Sequence, residues 1–275
     1  MREAMDTLVT GADGLAMNLV DFGGDTGPPL LLLHGSLGHA RGWDFVVDAM
    51  PGGQRALALD LPGHGKSAHA DAAGRYAFPR LIADVGAVLA TFDERVVVAG
   101  HSLGSALAMF VAAKHGVRLA GAIFMDIDPH VPQHQVDHLR EVGSQPPKRY
   151  AEFDRAVSRE SRVAPGAAPA VHEHLARHGY HHDGSAWVQR FDQRFLQYVE
   201  RWDARDALRS VTVPALVVRG EESTVMSREA RDEMLSALPD ARAVEVPGAG
   251  HQLHLQEPAA VAAAIHAFLD EIRRG

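Results

Sequence analysis

The chain has 275 residues, no cysteine, and a net charge of −8 from 27 basic and 35 acidic residues. With no basic cluster in that balance, nucleic acid and anionic membrane surfaces are poor partners, and the lack of cysteine excludes disulfides, thiolate catalysis and thiolate metal sites. An apolar fraction of 46% is ample for a large core, and the length suits one α/β domain carrying an insertion.

Glu3 and Asp6 stand where a secretory signal needs an uninterrupted apolar run, and no stretch approaches the ~20 apolar residues of a membrane span. A soluble, cytoplasmic protein is expected. Residues 7–22 alternate and break at Gly11-Ala12-Asp13-Gly14, the pattern of a leading β-hairpin. A fully apolar strand follows at Leu30–Leu33, and further short buried strands at Ala56–Asp60, Val96–Ala99, Ala120–Met125 and Ala215–Val218, with Ala243–Val246 a shorter last candidate. Helical patterns separate them at 41–49, 79–92, 104–115, 227–238 and 257–273. Near-continuous apolar strands alternating with helices predict a parallel sheet covered on both faces.

The alternation fails between Pro129 and Arg209, where charged amphipathic segments at 134–142, 148–160, 169–178 and 186–209 replace buried strands. Residues 129–209 therefore read as a helical cap inserted after the sixth strand, and residues 1–128 with 210–275 as the core. An insertion there would cover the carboxyl ends of the strands, where open α/β sheets bind ligands.

The most informative segment is Val96-Val97-Val98-Ala99-Gly100-His101-Ser102-Leu103-Gly104, followed directly by the helix-forming run 105–113. A strand that stops at Gly-x-Ser-x-Gly and turns at once into a helix holds its serine in a strained elbow with Oγ exposed. The helix N-terminus behind it supplies unpaired N–H groups to a developing oxyanion. Ser102 is accordingly the candidate nucleophile.

Together with this elbow, three further motifs resemble the α/β-hydrolase family: His34-Gly35-Ser36-Leu37-Gly38 after the first core strand, Asp60-Leu61-Pro62-Gly63-His64-Gly65-Lys66-Ser67, and Pro247-Gly248-Ala249-Gly250-His251 before Glu257-Pro258 and the last helix. The resemblance covers most of the chain apart from the insertion. It implies the α/β-hydrolase fold, a mostly parallel eight-stranded sheet flanked by helices, and no cofactor. It also implies an oxyanion hole from the backbone N–H groups of Ser36 and Leu103. His34, His101 and Trp187 are candidate substrate-binding residues.

A serine hydroxyl needs a base and a group that orients the base. Of the 17 histidines, His251 fits best, after the last strand and within Gly-Ala-Gly; His254, three residues on, is the alternative. The acid departs from the common pattern of the family. Three and four residues past Gly220, where most relatives carry it, stand Ser223 and Thr224, which bear no charge; Glu221 and Glu222 are near but out of register. Asp126, the first residue after the apolar run 120–125, is the leading candidate, with Asp128 on the same side by strand alternation and Glu222 or Glu221 as further alternatives.

His174 and His178 share a helix face at metal-ligand spacing, but no third ligand is evident, and a solvated cap helix without a metal is the better reading. The expected function is a serine hydrolase that cleaves a small carboxylic ester or lactone through an acyl-enzyme on Ser102. The alternatives are a cofactor-independent dioxygenase of the same fold using a His251–Asp126 dyad, or a C–C bond hydrolase. A homodimer is allowed as an assembly.

Overall fold

A computed structural model describes residues 1–274. The eight strands of the main sheet are β1 (Met5–Thr10), β2 (Ala16–Asp21), β3 (Thr26–Leu33), β4 (Gln54–Leu59), β5 (Val96–His101), β6 (Leu119–Met125), β10 (Ala215–Gly220) and β11 (Ala241–Val246). The insertion holds three short strands, β7 (Arg149–Tyr150), β8 (Tyr180–His182) and β9 (Trp187–Gln189). The helices of the first half are α1 (Asp44–Ala49), α2 (Phe78–Leu89) and α3 (Leu103–His115). The insertion contributes α4 (Gln133–Ser144), α5 (Phe153–Val163), α6 (Pro169–Gly179), α7 (Arg194–Gln197) and α8 (Arg205–Arg209). The chain ends with α9 (Arg228–Ala237), α10 (Leu253–Gln256) and α11 (Pro258–Arg274).

The sheet order is β1-β2-β4-β3-β5-β6-β10-β11. The β1–β2 and β2–β4 pairs are antiparallel and every other pair is parallel. The middles of its central strands, Leu30–Leu33, Ala56–Leu59 and Val96–Ala99, are apolar at every position because both faces are covered. Leu31, Leu33, Val96 and Val98 pack with α2 and α3 on one side, while Leu30, Leu32, Val97 and Ala99 pack with α1 and α11 on the other. The carboxyl ends of β3, β5, β6, β10 and β11 thus lie along one edge of the sheet.

At that edge the backbone of β5 and α3 is packed too closely for side chains. A Cβ added to Gly100 would strike the Gly104 carbonyl, and one added to Gly104 would meet the carbonyls of Leu33 and His34. Ser102 between them adopts φ 53° and ψ −120°, a sparsely populated conformation that the surrounding packing must hold in place.

The insertion is less helical than its composition suggested. Residues 186–209 form β9, turns and the short helices α7 and α8, and β7, β9 and β8 make a separate antiparallel sheet. Strands of two or three residues are too short to show a period-two pattern. The two ends of the insertion are stapled together, Ala204 N–H donating to Pro129 O at 2.7 Å and Val131 N–H to Trp202 O at 3.1 Å. The hydrogen bonds that fasten it to the core include Tyr76 Oη–H to Asp192 Oδ2 at 2.6 Å and Gln256 Nε2–H to Pro165 O at 2.6 Å.

Replacing Gly100 by Ala should destabilise the protein by about 2–3 kcal/mol, because rigid backbone rather than a flexible side chain blocks the new methyl. Urea denaturation followed by tryptophan fluorescence measures this; an unchanged midpoint would show that β5 and α3 can separate freely.

Candidate active site

Ser102 ends β5 and begins α3, its N–H donating to Met125 O at 2.9 Å on the neighbouring strand. His251 arrives on the loop after β11. The ring places Nε2 3.2 Å from Ser102 Oγ and Nδ1 2.8 Å from Asp126 Oδ2. A carboxylate only accepts, so Nδ1 carries the proton and Nε2 presents a lone pair to the serine hydroxyl.

Asp126 is fully buried at the end of β6. Gly220 N–H donates to its Oδ1 at 3.0 Å, and Ser223 Oγ–H donates to Oδ2 at 2.6 Å beside the histidine. Ser223 Oγ in turn accepts from the N–H groups of Val225 at 3.1 Å and Met226 at 3.2 Å, so its single hydrogen is directed at the aspartate. The buried Arg219 side chain donates to the carbonyls of Ser223 and Met226 and holds that loop. Ser223 is the contributor that the sequence pattern missed. Its position three residues past Gly220 drew attention only as one lacking charge, and a hydroxyl's partner cannot be read from spacing.

The competing acids lie elsewhere. Asp126 takes φ 52°, which breaks the strand alternation that had put Asp126 and Asp128 on one side. Asp128 instead accepts from Ser227 N–H at 3.2 Å, and burial pushes its carboxyl above the usual range. Glu221 accepts from Gly248 N–H at 2.8 Å, and Glu222 is exposed. His254 is buried in α10, its ring against Trp43 and His101 at centroid distances of 4.7 and 4.3 Å, and it is His251 rather than His254 that hydrogen-bonds the serine.

Ser36 and Leu103 both line a cavity of about 240 Å³ with Ser102 and His251. Ser36 follows the close approach of Gly35 to the elbow, where an added Cβ would come within 3.0 Å of Ser102 Cβ. His34 and His101 line the same cavity. His34 accepts Leu61 N–H on Nε2 at 3.0 Å and donates from Nδ1 to Gly35 O at 2.8 Å, which fixes the loop. His101 Nε2–H donates to His251 O at 2.7 Å. Trp187 is not among the lining residues; it packs in the insertion against Phe153 and His182. Trp202, Tyr180 and Gln189 line the cavity from the insertion instead.

Helix α6, expected to be solvated, packs on the core. His174 is buried with Nε2 3.2 Å from Asp44 Oδ2 and 3.1 Å from Arg41 O, and the His178 ring lies against it. Among the described residues no group of three or more His, Asp or Glu side chains is arranged to hold a metal, and no helix is long and apolar enough to cross a membrane.

Residues 30–264 match the alpha/beta hydrolase family, and the chain belongs to that family, as an eight-stranded, mostly parallel sheet with a serine elbow at its carboxyl edge already suggests. Among individual proteins, it is 29% identical to Esterase Rv0045c of Mycobacterium tuberculosis over 93% of this chain and 87% of the relative. It is 26% identical to Esterase YbfF of Escherichia coli over 88% and 93% of the two chains. A solved alpha/beta hydrolase from Novosphingobium aromaticivorans superposes with a TM-score of 0.81 at 27% identity, covering 98% of this chain and 99% of the other.

Burial keeps several imidazoles neutral here: it pushes His34 down to about 4 and His254 to about 3, and holds His101 well below its ordinary value of 6.5. In the unfolded chain each would protonate near 6.5. Between about pH 6.5 and pH 4 the unfolded state therefore binds more protons, and stability falls as pH falls. Each such histidine contributes a slope of up to about 1.4 kcal/mol per pH unit. Denaturation midpoints across that range should decline steeply in the wild type and less steeply in His254→Gln; parallel curves would refute the assignment of His254 to this slope.

Proposed function

We propose that this α/β hydrolase is a serine ester hydrolase working through an acyl-enzyme on Ser102. The observation that carries the reading is the continuous relay Ser102 Oγ–His251 Nε2, His251 Nδ1–Asp126 Oδ2, and the naming of two relatives as esterases supports it. His251 takes the serine proton as Oγ attacks the carbonyl carbon. The resulting oxyanion lies against the amides of Ser36 and Leu103, and the imidazolium then returns the proton to the leaving alkoxide. Water, deprotonated by the same histidine, releases the acid and regenerates the serine. Asp126 holds the tautomer and balances the imidazolium; Ser223 and Gly220 hold Asp126.

A cavity of about 240 Å³ lies below the ~300 Å³ at which drug-sized sites begin, which favours a small ester or lactone. Residues 129–209 act as the cap, supplying one wall of that cavity. Serine at position 102 does not suit displacement at an alkyl carbon, which calls for a carboxylate nucleophile.

Ser102→Ala should lower kcat/KM on a short p-nitrophenyl ester by about 10⁴-fold or more, and a fluorophosphonate should label the wild type but not this variant. Turnover by Ser102→Ala near the wild-type level would overturn the acyl-enzyme and favour the dioxygenase-type dyad. Asp126→Asn should cost about 10³–10⁴-fold, since an amide no longer balances the imidazolium.

Ser223→Ala removes one charge-assisted hydrogen bond and should reduce kcat about tenfold with little change in KM. A lowered melting temperature with wild-type kcat would leave Ser223 a structural residue only.

A further inference from the structure

Glu160 on α5 is the one Asp, Glu, Lys or Arg side chain that lines the cavity among the described residues. It is 7% exposed and so is drawn deep into the wall contributed by the insertion. Both of its protein partners use the same oxygen: Tyr180 Oη–H donates to Oε1 at 2.8 Å and Arg159 Nη1–H to Oε1 at 2.9 Å. Oε2 has no hydrogen-bond partner among the described residues. Arg159 is not a lining residue, so the balancing cation sits behind the wall and the acceptor oxygen in front of it.

The remainder of the cavity sharpens this asymmetry. Val131, Leu139, Val163 and Leu175 give the insertion's wall an apolar character. Of the histidines that line it, His34, His39, His101 and His254 are kept neutral by burial, and His251 is engaged between Ser102 and Asp126, so none offers a free cation to an anionic ligand. Oε2 is not among the sealed side-chain atoms, so it stays open to a donor that enters the cavity. A substrate carboxylate would meet a like charge with no counter-ion facing the cavity, whereas a hydroxyl or amide N–H would complete the hydrogen bonding of Oε2.

Resting on the ester-hydrolase reading above, we propose that Glu160 is a specificity-determining residue. It accepts a hydrogen bond from a hydroxyl or amide N–H on the substrate and turns away substrates whose acyl or alcohol part carries a carboxylate. The substrate class is then a small, uncharged ester or lactone bearing a hydrogen-bond donor on an otherwise apolar chain.

The test compares kcat/KM on three p-nitrophenyl esters of matched chain length: hexanoate, 6-hydroxyhexanoate, and the monoester of adipic acid. The wild type should prefer the hydroxyl-tipped ester over hexanoate by about tenfold, the worth of one hydrogen bond to a charged acceptor, and should disfavour the adipate by a similar factor. Glu160→Gln keeps the shape and removes the charge, so the adipate-to-hexanoate ratio should rise about tenfold. Glu160→Leu removes the acceptor and should abolish the preference for the hydroxyl; should this variant fail to fold, the glutamine variant decides alone.

Ratios that agree within about twofold across the wild type and the folded variants overturn the assignment. Fluorophosphonate labelling of Ser102 in the same samples separates the two levels. Labelled enzyme with flat ratios overturns only the role of Glu160, while an unlabelled wild type overturns the acyl-enzyme and this inference with it.

Discussion

Asp126 carries a charge at a position with no access to solvent, and the geometry of the site follows from the need to satisfy it. Removing a carboxylate from water costs several kcal/mol even after relaxation. Three donors offset that here: Gly220 N–H, Ser223 Oγ–H and His251 Nδ1–H. They come from the end of β10, the loop after it and the loop after β11, so one carboxylate at the end of β6 locates three segments. Because β6 lies between β5 and β10 in the sheet, the same constraint sets His251 against the serine that ends β5.

Neutral imidazoles form the second layer of the site. His34, His101 and His254 are buried around the elbow and kept uncharged by desolvation. His34 accepts and donates along the loop that carries Ser36, while His101 donates to the backbone of His251. His34 and His101 are each locked into one tautomer by these partners, so they hold backbone in place without adding charge beside His251.

The insertion adds what the core lacks. The core edge supplies glycines, amides, imidazoles and part of the apolar wall; the insertion supplies the rest of that wall and the carboxylate Glu160. Stapled at its neck and tied to Tyr76 and Gln256 of the core, it is a fixed wall in this structure. Its Trp187, an inviting aromatic in the sequence, packs within the insertion, whereas Trp202 at the neck reaches the cavity.

The parallel sheet, its covering helices and the serine elbow were legible in the sequence because their signals are contiguous: an apolar run, two glycines around a serine, and a helix-forming run within some twenty residues. The family motifs extended that to the loop of His251. Contacts between distant segments were not legible. Whether Asp126, Asp128 or Glu222 faces His251 depends on a backbone φ of 52° at Asp126 and on strand order, neither of which a one-dimensional pattern records. Ser223 gave no signal at all, since a hydroxyl acquires meaning only from what lies opposite it. The burial of His174 and Glu160 was likewise hidden, because charged composition reads as solvated until a partner covers it. The sequence alone determined which local pieces form; the tertiary structure decided which polar side chains meet, because that choice belongs to hydrogen bonds between residues about a hundred positions apart.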